Sequence, residues 1–199
     1  MNHEPTERRS FLAFATAGLG ALFTVFLGAP IAAYVTDPRN RKGAAGDFRM
    51  VDGLNLDTLT KGIPVQGVLS DTRRDAWTLH PNDVVGRVWV ILKKDPPIPA
   101  NVTGTDAELL DVFTTICPHL GCSVNLNQDQ QANPGFTCPC HSAQFDLAGC
   151  RKAPASNPAA RDMDGLEWKI DVDPANPERK MLFVKYQSYK ASIAEKQVV

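Results

Sequence analysis

Two short runs, Cys117-Pro118-His119-Leu120-Gly121-Cys122 and Cys138-Pro139-Cys140-His141, hold four of the five cysteines and two of the four histidines in this chain. Each run offers a Cys and a His at a spacing that lets both side chains turn toward a common centre, Cys117 with His119 and Cys138 with His141. Cys122 and Cys140 are left over, one in each run. A fold that uses these residues together must bring two loops, with fifteen residues between Cys122 and Cys138, to one place.

Thiolates suit both irons of a two-iron cluster, and two neutral imidazoles in place of thiolates on one iron remove negative charge and raise the reduction potential. The donor set therefore points to an iron–sulfur cluster. Two Cys and two His also make a tetrahedral zinc set. The C-x-H and C-x-x-H order is unlike common zinc-finger spacing, however, and zinc leaves the second cysteine pair without a role.

The two runs resemble the paired boxes of Rieske proteins, in the form found in cytochrome bc-type quinol oxidases. That resemblance implies one [2Fe-2S] cluster, with Cys117 and Cys138 on one iron and His119 and His141 on the other. It implies a disulfide between Cys122 and Cys140, a cross-link suited to an oxidising compartment. It also implies a small cluster-binding subdomain, about residues 113–160, set into a larger β base, with both histidines exposed at its tip and the sulfurs buried.

The segment from Ser10 to Thr36 has no charged residue and is mostly Phe, Leu, Ala, Val and Gly. About twenty such residues cross a bilayer as a helix, so residues 11–35 read as a transmembrane anchor. The flank before it, residues 1–10, includes Thr6-Glu7-Arg8-Arg9-Ser10-Phe11-Leu12, which resembles a twin-arginine export signal with a departure at Glu7. A cleavable signal has a shorter apolar region and a small-x-small site, so the anchor is read as retained. Arg39, Arg41 and Lys42 after the helix oppose this orientation on a positive-inside count; the export signal and the cysteine bridge outweigh that count. The domain is expected on the outer face of a bacterial cytoplasmic membrane.

Residues 36–47 are polar, contain Gly and Pro, and read as a flexible hinge. Residues 48–199 form the folded domain. Strand character appears at Ile63–Leu69, Gly86–Leu92, Leu109–Ile116, Leu166–Val172 and Met181–Tyr186, separated by Pro, Gly and Asn clusters. Val88, Val90 and Leu92 alternate there with Trp89 and Ile91. Leu54–Leu59 suits a short helix. The expected class is all-β, a Rieske-type antiparallel β-sandwich base with an inserted cluster-binding subdomain and one N-terminal transmembrane helix. A net charge of −1, with scattered Lys and Arg, argues against a nucleic-acid partner.

The family resemblance further implies an electron-transfer subunit, inactive alone, that takes an electron from a quinol and passes it to a cytochrome haem. Its partners would be a b-type membrane subunit and a c-type cytochrome. His141, with His119 beside it, would face the quinol and take its proton. Many high-potential relatives carry a Ser two positions after the second-box His and a Tyr four after it, both donating to sulfur; Ala143 and Phe145 stand here. Without those donors the potential should fall, which suits menaquinol. Ser142 stands where relatives usually have Gly, and could partly substitute as a donor. Ala153-Pro154-Ala155 resembles the Gly-Pro-Ala of the loop covering the cluster, with Pro154 stiffening it. Two other functions fit less of the sequence: the small Rieske subunit of a periplasmic molybdenum oxidase of the arsenite-oxidase kind, and a zinc-stabilised surface module. Cys150 is expected to be a buried free thiol, Trp77, Trp89 and Trp168 to fill the β core or its edges, and His80 to lie on the surface.

Overall fold

The computed structural model describes residues 6–40, 47–75, 78–95, 98, 102–104, 109–127, 134–173 and 176–199. The chain divides into two units, residues 1–44 and 45–199. In the first, helix α1 (Thr6–Asn40) carries an apolar span at Arg8–Thr36 with a mean hydropathy of 2.0. At 1.5 Å per residue it exceeds the ~30 Å of a bilayer core. Its threonine hydroxyls donate inward, Thr16 to the Leu12 carbonyl at 2.7 Å and Thr24 to that of Gly20 at 2.8 Å. Polar groups are thus satisfied within the helix, as hydrocarbon surroundings demand. The helix continues through residues 36–40, the start of the expected hinge; residues 41–46 lie outside the described residues.

The second unit is built from β1 (Phe48–Asp52), β2 (Val65–Asp75), β3 (Thr78–Leu92), β4 (Val102–Gly104), β5 (Leu110–Thr114), β6 (Asn125–Asn127), β7 (Gly135–Thr137), β8 (Gln144–Phe145), β9 (Trp168–Asp173) and β10 (Asn176–Lys185). Seven strands form an antiparallel sheet in the order β4-β9-β10-β1-β2-β3-β5, and the other three form a small sheet β6-β7-β8. The large sheet folds over one apolar core. Leu69, Val88, Val90, Leu92, Leu110 and Val112 on its β2-β3-β5 side meet Trp168, Ile170, Leu182 and Val184 from β9 and β10. Backbone bonds from Thr114 to Asp164 and from Leu166 to Val112, at 3.0 and 2.8 Å, join the β5 edge to the segment entering β9. The fold is all-β, with the expected strands overlapping β2, β3, β5, β9 and β10 and one of them, Gly86–Leu92, wholly inside its strand. Leu54–Leu59 contains a 3-10 turn, Leu56–Thr58, capped by the Asn55 side chain.

β3 has two buried faces. Val88, Val90 and Leu92 enter the base core, whereas Trp89 and Ile91 enter a second core with Phe113, Val124, Phe136, Ala143, Phe145 and Met163. Because successive strand side chains point to opposite faces, one stretch of alternating sequence serves as the wall of both. The second core lies beneath the two Cys/His loops.

Candidate metal centre

The first loop leaves β5 and returns through an Ile116–Ser123 bridge to β6. Inside it the Cys117 N–H donates to the Cys122 carbonyl at 2.7 Å, and Gly121 takes a left-handed φ of 81°. The second loop repeats this plan between β7 and β8: the Cys138 N–H donates to the Ala143 carbonyl at 2.8 Å, and Ser142 takes a φ of 57°. A left-handed turn is natural for Gly and costs another L-residue on the order of 1 kcal/mol. Ser142 therefore holds a glycine conformation, and it is exposed. Ala153 likewise keeps a positive φ, 47°, ahead of exposed Pro154.

Both loops converge. A disulfide joins Cys122 to Cys140 across a sequence separation of 18. Cys117 and Cys138 are free and buried. Burial pushes the Cys117 thiol up to about 11, and contact with Cys138 adds to the rise, while the backbone N–H groups of His119 and Leu120 oppose it. Those amides favour a thiolate, the form that binds metal. The His119 and His141 rings meet edge to face with centroids 4.6 Å apart. His141 is exposed and His119 half-buried, and His119 Nδ1 is a buried nitrogen with no partner.

This set fits a two-iron cluster. Two buried thiols stand in contact and two imidazoles meet edge to face, with an orphaned ring nitrogen available as a ligand atom. A single zinc ion would need all four donors around one point. Among the described residues, the sulfurs drawn within 4.8 Å of one another are those of Cys122, Cys138 and Cys140, two of which are joined in the disulfide.

The loops are supported by side-chain bonds to backbone carbonyls, a role the sequence does not mark even for Trp89. The Trp89 indole N–H donates to the Val124 carbonyl at 3.0 Å, and its ring lies 5.4 Å from that of Phe136. Arg151 donates to the carbonyls of Ala159 and Ala160 at 3.2 and 3.1 Å, and Asn157 to that of Gln144 at 2.7 Å, tying the Pro154 segment to the second loop. Gly149 sits against the Phe113 ring, where a Cβ would collide. Ala143 and Phe145 are fully buried. Cys150 corrects an expectation: it is exposed, because a turn closed by Asp146 Oδ1 accepting from its N–H turns the thiol outward. Trp89 and Trp168 are buried, His80 is exposed, and Trp77 lies outside the described residues.

Residues 69–170, just over half of the chain, match the Rieske [2Fe-2S] domain. The chain is 28% identical to the menaquinol:cytochrome c reductase iron-sulfur subunit of Bacillus subtilis, over 82% of its own length and 86% of that protein's. It is 25% identical to the subunit of that name in Geobacillus thermodenitrificans, over 85% and 89% of the two lengths. It is also 27% identical to the cytochrome b6-f complex iron-sulfur subunit of Chlorobaculum thiosulfatiphilum, over 72% and 61%. The cofactor is accordingly a [2Fe-2S] cluster.

Proposed function

This chain belongs to the Rieske [2Fe-2S] family, and on that premise we propose that it is the membrane-anchored electron-transfer subunit of a menaquinol-oxidising cytochrome bc-type complex. The observation that carries this reading is the tip geometry: two buried thiols, paired imidazoles with one ring exposed, and a disulfide locking their loops. The names of the Bacillus and Geobacillus relatives support the choice of donor.

Cys117 and Cys138 would hold one iron, and His119 and His141 the other. When bound, the cluster supplies a one-electron acceptor. The exposed His141 accepts a hydrogen bond from the quinol hydroxyl through its outer nitrogen and holds the proton that leaves with the electron. His119, half-buried beside it, fixes the second imidazole edge. The buried thiols and the second core keep water from the sulfur side. The cluster would serve a cytochrome haem as the next electron acceptor, with residues 36–47 as the tether. The cysteine bridge and the Arg8-Arg9 flank support placement of the domain on the outer face of the membrane.

Ala143 and Phe145 offer no side-chain donor, which supports a low-potential centre. A hydrogen bond worth about 1 kcal/mol more to the reduced state raises a one-electron potential by about 40 mV. The double substitution Ala143→Ser with Phe145→Tyr is expected to raise the midpoint in a redox titration. A parent midpoint already as high as that of ubiquinol-dependent relatives would sink the menaquinol assignment. Copurification of a b-type haem protein from detergent-solubilised membranes tests the complex; a molybdenum partner there would overturn it.

A further inference from the structure

The first ligand loop uses its own backbone to close, and the carbonyls of Pro118 and His119 find their donors elsewhere. Both are bonded by Ser192, far along the chain. The Ser192 N–H donates to Pro118 at 2.9 Å, and its hydroxyl donates to His119 at 2.5 Å. Ser192 makes these bonds from a left-handed φ of 62°, a conformation that persists when surrounding contacts impose it.

Those surroundings are a chain of polar contacts built on one buried ion pair. Arg161 and Asp164 form a two-armed ion pair at 2.9 and 2.8 Å, with side chains only 8% and 4% exposed. The remaining arm of Arg161 donates to the Ile193 carbonyl at 2.7 Å, next to Ser192. The Asp164 carbonyl accepts from Thr114 at 3.0 Å, at the end of β5 and three residues before Cys117. Lys196 reaches the Gly165 carbonyl at 2.6 Å, and Tyr189 pairs with Val198. Residues 187–199 are therefore fastened to Arg161 and Gly165, in the segment bonded to the β5 end, and through Ser192 to the loop itself.

We propose that Ser192 is a positioning residue for His119, and that residues 187–199 form a clamp that sets the imidazole's direction and the polarity around the histidine-bound iron. The proposal rests on the ligand assignment above. Donation to the two carbonyls holds their negative ends away from the centre. Losing the hydroxyl frees the His119 carbonyl and lets the ring shift, which disfavours the more negative, reduced state.

The test uses the full chain in detergent with its cluster. Ser192→Gly tolerates the positive φ and keeps the N–H bond to Pro118 while removing the hydroxyl; Ser192→Asn also tolerates that φ and restores a donor. At a fixed ambient potential, the ratio of reduced to oxidised cluster is expected to fall about threefold in S192G, the scale of one hydrogen bond. Its electron paramagnetic resonance line positions should shift, and iron loss to a chelator should quicken about threefold. S192N should recover at least half of each change. Parent-like values for S192G, or changes that S192N does not reverse, would overturn the positioning role alone. A parent protein lacking the iron signal would overturn the cluster assignment and this proposal with it.

Discussion

The two cores of the domain are held by different means, although they share strand β3. The base is closed by long ladders, β2 against β3 and β9 against β10, around a mostly aliphatic interior. The tip has strands of only two or three residues, too short for a stable sheet by themselves. What holds it is its small apolar core, a disulfide and backbone carbonyls bonded to Trp89, Arg151 and Asn157. Burial with long ladders makes the base, and the tip adds cross-links to its small buried core.

Separating the two should be easiest at the disulfide. Replacing both Cys122 and Cys140 with Ser should cost the tip about 3 kcal/mol on the loop-entropy account. Bound iron should drop toward zero on dialysis, with the far-ultraviolet circular dichroism of the base retained; joint collapse of base and tip would erase the distinction. Leu182→Ala, deep in the base, should remove about 2–3 kcal/mol of stability by denaturant titration. The visible spectrum of the cluster should stay as in the parent. Ser142→Gly should add about 0.5–1 kcal/mol to the tip, the relief of a left-handed serine less the entropy of glycine. A loss of stability there, with a lower midpoint, would instead mean that the Ser142 hydroxyl donates to sulfur. Lys61→Ala removes an exposed pair with Asp95 and should change stability by less than about 0.5 kcal/mol.

The base was largely legible because its code is periodic. Alternation at Val88 to Leu92 marked a strand with two apolar faces, although not that the faces enter separate cores. β1 is only five residues long, with Arg49 and Asp52 beside Phe48, Met50 and Val51, too short to give a comparable signal. At the tip, the Cys and His spacing identified the ligand candidates, since metal chemistry restricts residue type sharply. Its supports were hidden because they are bonds to backbone carbonyls, which any sequence possesses. Nothing in Ser192 announces that it bonds His119, nor in Arg161 and Asp164, three residues apart, that they pair beside the Ile193 carbonyl. Cys150 misled because thiols favour burial on average, while its outward direction is set by a local turn at Asp146.

The double use of β3 constrains how chains of this kind can vary in length. Side chains alternate with a period of two, so inserting or deleting one residue between Val88 and Leu92 would turn every side chain on one side of the change to the opposite face, exchanging residues between the two cores. Both interiors would be mispacked by a single genetic event, and no nearby substitution could repair both. Tolerated insertions should therefore collect in the connections between strands, leaving the parity of this short stretch as the fixed reference for both halves.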